Sequence, residues 1–214
     1  ARINDRAVNN SVYSCHVAAL AKLKAGDVKF VDRNGDGVIN TGDNTVGKPG
    51  DRYIIGNSLP RYTYSFRGDI DWYGFNLSVF FQGIGHCDWM PPKTCSYFWS
   101  LYGFPASSFV PTDFESKTWT EDRRNAYFPR RRGYTTYSGS ALGVNTDRYL
   151  QNAAYIRLKN ITLGYTLPIK QNKAVEKIRI YATGENLWYW SPMKRNSKYI
   201  DPEVATASSN QSDD

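Results

Sequence analysis

Between Arg61 and Gln82 apolar and polar positions alternate with a period of two. Tyr62, Tyr64, Phe66 and Ile70 share one phase, and Arg61, Thr63, Ser65, Arg67, Asp69 and Asp71 share the other. After Trp72-Tyr73-Gly74 the alternation resumes, with Phe75, Leu77, Val79 and Phe81 set against Asn76, Ser78 and Gln82, and Phe80 as the exception. Side chains on a strand point alternately to its two faces, so this pattern predicts strands over 63–70 and 75–82 joined by a short turn at 71–74. A second hairpin follows further on. Ile161, Leu163, Tyr165 and Leu167 keep one phase while Ile156 and Leu158 keep the other, which requires a bulge near Lys159-Asn160. Strands are therefore expected over 161–167 and 177–184, with a turn at 168–174. Between the hairpins, 83–152 shows no steady period.

Two environments account for such hairpins. In a soluble sheet the apolar face packs a core and the polar face meets water. In an outer-membrane barrel the apolar face meets lipid and the polar face lines a wet lumen. A structureless stretch as long as 83–152 is foreign to a compact soluble domain. In a barrel it is expected, because outside loops are long and the turns on the other side short. The order short turn, long loop, short turn therefore predicts an all-β fold: an antiparallel transmembrane β-barrel with long extracellular loops. Four strands leave open edges, whose unpaired backbone groups are costly in lipid, so the chain is expected to be a fragment of a larger barrel.

Composition agrees in part. Aromatics make up 15% of the 214 residues (16 Tyr, 10 Phe, 6 Trp), which suits an interfacial belt or a carbohydrate-binding surface. Mean hydropathy is −0.56. No run of about 18 apolar residues exists, which excludes a transmembrane helix and leaves strands untouched. The formal charge of +7 raises the question of nucleic acid, but the densest basic patch, Arg123-Arg124 with Arg130-Arg131-Arg132, lies in the long loop with no nucleic-acid-binding motif, and a solvated loop surface is expected. Cys87 and Cys95 are close enough in sequence to bridge in an oxidising compartment, leaving Cys15 free; three unpaired thiols are the alternative. A zinc site drawing on His16 and His86 lacks the usual spacing. Residues 1–25 read as loop or linker, with a short helix candidate at 14–23. They show no signal-peptide pattern, which leaves either a cytoplasmic protein or a chain whose natural start lies upstream.

The most specific local motif is Asp32-Arg33-Asn34-Gly35-Asp36-Gly37-Val38-Ile39-Asn40-Thr41-Gly42-Asp43. Side-chain oxygens at Asp32, Asn34, Asp36, Asn40 and Asp43, a carbonyl at Val38 and the turn glycine Gly37 reproduce the spacing of a twelve-residue calcium loop. A hard cation takes six or more oxygens, and alternate side chains on a tight loop converge on one point. The last ligand is Asp where Glu is usual, a shorter arm, and no flanking helices are evident. The alternative is a turn rich in Asn, Asp and Gly for local reasons. Any calcium here would be structural.

Several blocks, in order, resemble one family. They are Gly26-Asp27-Val28-Lys29-Phe30-Val31 running into the calcium-type motif, Ile55-Gly56-Asn57-Ser58-Leu59-Pro60-Arg61-Tyr62-Thr63-Tyr64, Leu77-Ser78-Val79-Phe80-Phe81-Gln82-Gly83, Trp119-Thr120-Glu121-Asp122, the run from Tyr149-Leu150-Gln151-Asn152 through Tyr155-Ile156-Arg157-Leu158-Lys159-Asn160 to Gly164-Tyr165, Gly184-Glu185-Asn186-Leu187, and Asp201-Pro202-Glu203. Together, over 26–203, they resemble the C-terminal part of the barrel of SusC/RagA-type TonB-dependent transporters. The resemblance implies an outer-membrane importer of glycans or peptides that works with a SusD-like surface lipoprotein. TonB would energise it through an N-terminal part outside these blocks. The plug and a final aromatic strand have no counterpart here, and 204–214 reads as a polar tail, so an internal fragment is expected.

For the loop aromatics Trp89, Tyr97, Trp99 and Tyr102 two roles are open: contact with ligand or lipoprotein, and packing of their own loop. A soluble calcium-stabilised β module that stacks carbohydrate on exposed aromatics is the competing function. An enzyme is not expected: Glu115, Glu121 and Asp122 supply carboxylates, but no nucleophile–base motif accompanies them.

Overall fold

The computed structural model describes residues 2–3, 24–92, 94–103, 109–131, 142, 145–168, 175 and 177–209. Cys15, His16, the helix expected at 14–23 and most of the turn at 168–174 lie outside them. The chain divides into two compact units, one of residues 1–56 and 90–150, the other of 57–89 and 151–214.

In chain order the elements are β1 (Arg2–Ile3), β2 (Val28–Lys29), β3 (Thr63–Trp72), β4 (Phe75–Ile84), β5 (Asp88–Trp89), α1 (Ser96–Trp99), α2 (Phe114–Lys117), β6 (Gln151–Asn152), β7 (Tyr155–Pro168), β8 (Lys177–Trp190) and α3 (Pro202–Ser209). The second unit is built on a four-stranded antiparallel sheet in the order β3-β4-β7-β8. Every expected strand is present, and each is longer than its alternation shows. The β3–β4 hairpin closes through two residues, Tyr73 (φ 48°) and Gly74 (φ 87°), with Trp72 paired to Phe75. Positive φ at both positions matches the twist of a two-residue hairpin, and glycine supplies it at no steric cost.

Register carries one chemistry across all four strands. Phe66 lies opposite Phe81 and Ile70 opposite Leu77. Leu77 then meets Leu163, and Val79 meets Ile161. Leu163 in turn meets Ala182, and Tyr165 meets Ile180. The ladder skips Lys159: Phe80 pairs with Asn160 and Phe81 with Leu158. The bulge required by the phase change is therefore present, and Leu158 and Ile156 rejoin the apolar face opposite Trp188 and Trp190. The other face holds Arg67, Asp69 and Asp71 from β3, Asn76 and Ser78 from β4, Arg157, Asn160 and Thr162 from β7, and Arg179, Thr183 and Glu185 from β8.

Neither face is covered along most of the sheet. Phe66, Ile70 and Ile180 are all more than 60% exposed. Where two strands approach most closely, glycine makes the room. A Cβ on Gly83 would sit 2.3 Å from the Tyr155 carbonyl oxygen and 2.6 Å from the Tyr64 ring. Tyr64 lies over this gap and donates its hydroxyl to the Tyr155 carbonyl at 3.0 Å.

The first unit has a core of its own, made of aromatics. Phe98, Trp99, Tyr102, Phe114, Phe128 and Tyr149 are buried. Their rings pack in contact, Phe98 against Trp99 at 4.7 Å and Trp99 against Tyr149 at 5.1 Å between centroids. Polar tips find backbone partners: Tyr102 donates to the Pro129 carbonyl at 2.6 Å and Trp99 Nε1 to the Pro92 carbonyl at 2.9 Å. The buried Asp27 accepts from Arg130 Nε at 2.6 Å and from the Lys24 backbone N–H at 2.9 Å. That pair binds the segment before the Asx-rich loop to the long loop at Arg130.

Two destabilising substitutions and one control test these assignments in the full-length protein. Gly83→Val should displace Tyr64 and destabilise the hairpin by about 1–3 kcal/mol, as overpacking does, read from urea unfolding against the unmutated protein. Phe98→Ala should weaken the first unit by about 3–5 kcal/mol, seen as rapid proteolysis within 90–150. The exposed Tyr97→Ala should stay within about 0.5 kcal/mol of the unmutated protein.

Candidate functional site

Three regions concentrate polar or aromatic chemistry, and each is described within its own unit. The first is the polar face of the sheet. Arg67 Nε donates to Asp69 at 2.9 Å along β3, with both groups well exposed. Asn76 donates to its cross-strand partner Asp71, and the Thr162 and Thr183 hydroxyls meet at 3.0 Å. Toward the other end of the same face the polarity is buried. Arg157 is 7% exposed, with its guanidinium carbon 4.9 Å from the centroid of the Tyr189 ring and 5.9 Å from that of Tyr155. It donates to Asp201, and its Nε lies 3.4 Å from Glu203 Oε2. Lys159 Nζ binds both oxygens of Glu203, at 2.7 and 2.8 Å. Burial opposes charge on Asp201, but the Arg157 guanidinium and the Glu203 backbone N–H outweigh it and hold the carboxyl below its usual range.

The second region is the Asx-rich loop. Asp32 accepts from the backbone N–H groups of Gly35 (2.7 Å) and Gly37 (2.9 Å). Asp36 accepts from the Val38 N–H at 2.8 Å and from Asn34 Nδ2 at 2.8 Å. Asn40 Nδ2 lies 3.5 Å from Asp36 Oδ2 and 3.4 Å from the Val38 carbonyl. Donation from Val38 and then Asn34 holds the Asp36 carboxyl below its usual pKa. Asn34, Asp36, Val38 and Asn40 are thus gathered, while Asp43 pairs with Lys48 at 3.3 Å. Among the described residues no three His, Cys, Asp or Glu side chains are grouped to hold a metal ion. A residue outside the twelve-residue spacing closes the loop. Asp51 accepts from the Arg33 N–H at 2.7 Å and from the Asn40 N–H at 2.8 Å, tying the two arms together from eight residues beyond Asp43.

The third region is the loop aromatics. Trp99 and Tyr102 are fully buried in the aromatic core, and Trp89 is buried in β5. Tyr97 is 57% exposed and leans on Phe109 with ring centroids 5.4 Å apart, so of the four candidates it presents its ring to solvent. Arg132 lies outside the described residues, and the arginines of the basic patch that are described are used inside their unit. Arg123 donates to the Glu115 and Thr118 carbonyls at 2.5 and 3.2 Å, Arg124 to that of Glu121 at 3.2 Å, and Arg131 pairs with the Glu115 carboxylate. Arg148 Nη2 donates to the carbonyls of Ala126 and Tyr127 at 2.7 and 2.9 Å. Cys87 and Cys95 are free thiols; Cys87 is buried and donates to the Ser58 carbonyl at 2.9 Å. Burial raises the pKa of both. No helix among the described residues is long and apolar enough to cross a membrane, which says nothing about crossing by strands.

No protein-family model matches the chain. It is similar to two proteins of Formosa agariphila: TonB-dependent receptor P26, 26% identical over 181 residues (83% of this chain and 16% of that protein), and TonB-dependent receptor P3, 27% identical over 166 residues (76% and 14%). Both are named as receptors. Among solved structures it is similar to the RagAB peptide importer in the open-open state, with 23% identity and a TM-score of 0.44 over 67% of this chain and 15% of that one. A second RagAB structure, described as a peptide transporter, gives 26% identity and a TM-score of 0.41 over 62% and 13%. The chain thus spans about one sixth of the length of the curated relatives it matches. Over most of its length the chain is similar to a part of these TonB-dependent receptors.

Proposed function

We propose that the chain forms part of the barrel wall of an outer-membrane importer of the SusC/RagA type. On this reading the apolar face of β3, β4, β7 and β8 meets lipid and the polar face lines the channel. One observation carries it: the uncovered apolar face is aliphatic in the middle and banded with aromatics at both ends. Trp72, Phe75 and Tyr165 lie at the turn end, with Phe75 and Tyr165 in ring contact at 4.4 Å. Tyr62, Tyr64, Trp188 and Trp190 lie at the other, each at least 44% exposed. Ile70, Leu77, Val79, Ile161, Leu163 and Ile180 fall between them. The eight steps from Tyr64 to Trp72 span about 27 Å along a strand at ~3.4 Å each, or about 20 Å across a bilayer at ~40° tilt, close to the ~25 Å apolar band of such barrels. In water the same face would be an exposed apolar surface of a size that soluble monomers rarely carry.

The short Tyr73-Gly74 turn then belongs to the periplasmic side and the excursion between β4 and β7 to the extracellular side. The receptor is read as importing a glycan or peptide captured with a SusD-like surface lipoprotein. TonB would supply energy through a part of the protein outside this chain. We further propose a structural calcium ion held by Asp32, Asn34, Asp36, the Val38 carbonyl, Asn40 and Asp43. The all-oxygen donor set supports this assignment, and Asp43 would exchange Lys48 for the ion.

Placing an arginine at Val79 should destabilise the membrane-inserted full-length receptor by about 2–4 kcal/mol, whereas Ser78→Arg should be tolerated. Unfolding from lipid vesicles measures both, and equal tolerance would remove the membrane assignment. For the loop, calorimetric titration of the full-length receptor with calcium should give heat that Asp36→Ala abolishes. Absence of calcium-dependent heat in the unmutated receptor would leave only a hydrogen-bonded Asx turn.

A further inference from the structure

The sequence holds one Asn–Gly pair, Asn34–Gly35, and one Asp–Gly pair, Asp36–Gly37, and both fall inside the Asx-rich loop. Such pairs carry an intrinsic reaction. The backbone nitrogen of the glycine, once it has lost its proton, attacks the side-chain Cγ of the residue before it. At Asn34 the Cγ–Nδ2 bond breaks, ammonia leaves and a succinimide ring forms. Water then opens the ring, at Cγ to leave aspartate or at the backbone carbonyl to leave isoaspartate. At Asp36 the leaving group is water, and the net change is isomerisation alone. We infer that Asp32 holds both pairs unreactive by accepting the N–H of each attacking nitrogen, which makes Asn34 a latent deamidation site.

Sterically the loop leaves the reaction open. Residues 34–37 are all exposed, both glycines have positive φ (76° and 82°), and a Cβ built on either would meet no atom within 4 Å, so water and a five-membered ring both have room. The restraint is electrostatic and comes from one side chain. Asp32 Oδ1 accepts the Gly35 N–H at 2.7 Å, and its Oδ2 accepts the Gly37 N–H at 2.9 Å. Each proton that must leave is thus held in a charge-assisted bond, and the amide anion left behind would face a like charge. The carbon under attack is pinned as well. Asn34 Oδ1 accepts the Asp36 N–H at 3.1 Å while Asn34 Nδ2 donates to Asp36 Oδ2 at 2.8 Å, so residue 36 engages both ends of the amide and keeps Cγ from turning to the Gly35 nitrogen. Asp36 is fixed in its turn, its Oδ1 accepting the Val38 N–H at 2.8 Å.

This inference needs neither the importer nor the calcium reading. Its consequence falls on the loop itself. Aspartate at 34 would set a third carboxylate between Asp32 and Asp36, and isoaspartate would route the backbone through Cγ and lengthen the turn by one carbon.

Peptide mapping of the full-length receptor, kept in detergent with a chelator at mildly alkaline pH, measures the reaction as mass gain at Asn34 and as isoaspartate at 34 and 36. A synthetic peptide of residues 30–40 is the reference. Asn34 should deamidate about tenfold more slowly in the receptor than in the peptide, the scale of one charge-assisted hydrogen bond. Asp32→Ala should remove most of that protection and raise isoaspartate at both positions. Asp51→Ala is the control: it frees the Arg33 and Asn40 N–H groups that tie the loop's arms and leaves the acceptor at Asp32 intact, so the slow rate should persist. Equal rates in receptor and peptide would overturn the inference, as would an Asp32→Ala receptor no faster than the unmutated one. Asp51→Ala reacting as fast as Asp32→Ala would overturn it too, by making general loop order the cause.

Discussion

A single antiparallel sheet with no second layer over most of its area sets the terms for the rest of the structure. Its ladders pair the backbone of the inner strands on both sides except at the bulge, but they bury side chains only where neighbours on one face touch. Each face must then suit its medium directly. Strict alternation meets that demand, and a single slip of register would exchange the two faces. This explains why Phe66–Phe81, Leu77–Leu163 and Tyr165–Ile180 fall into rows, and why Arg67, Asp69 and Asn76 fall on the other side.

That constraint is also what made the sheet readable in advance. Period-two patterning located both hairpins, their faces and the irregularity at Lys159. It did not locate the far ends of the strands, because beyond Ile70, Gln82 and Gly184 the side chains are aromatics, glycine or mixed residues whose alternation is faint. The helical start of the supposed polar tail was equally hidden: Pro202–Ser209 owes its position to carboxylates whose partners lie on β7. Nothing local in Asp201-Pro202-Glu203 points to Arg157.

The excursion between β4 and β7 was legible in composition and not in form. Its order comes from rings packed on rings and from arginines spent on backbone carbonyls, neither of which has a period. Arg123, Arg124 and Arg148 satisfy the carbonyls that an irregular segment leaves exposed, and so perform for a loop what ladders perform for a strand. A count of positive charge therefore says little here about partners. The Asx-rich loop shows the same mixture: the twelve-residue spacing displays its oxygen donors openly, but Asp51, which ties the loop's two arms, lies outside any motif.

The bulge at Lys159 reaches further than its single residue. Arg157 shares odd parity with Ile161, Leu163 and Tyr165, so in an unbroken strand its guanidinium would stand in the same row as those apolar side chains. The extra residue turns the lower half of β7 over and brings Arg157 to the side where carboxylates can reach it. A change of chain length by one amino acid at this point, with every other residue intact, would invert the identity of both surfaces from Tyr155 to Leu158. In this strand, spacing is inherited information in the same sense as side-chain chemistry, and alignments that treat a gap there as neutral would miss it.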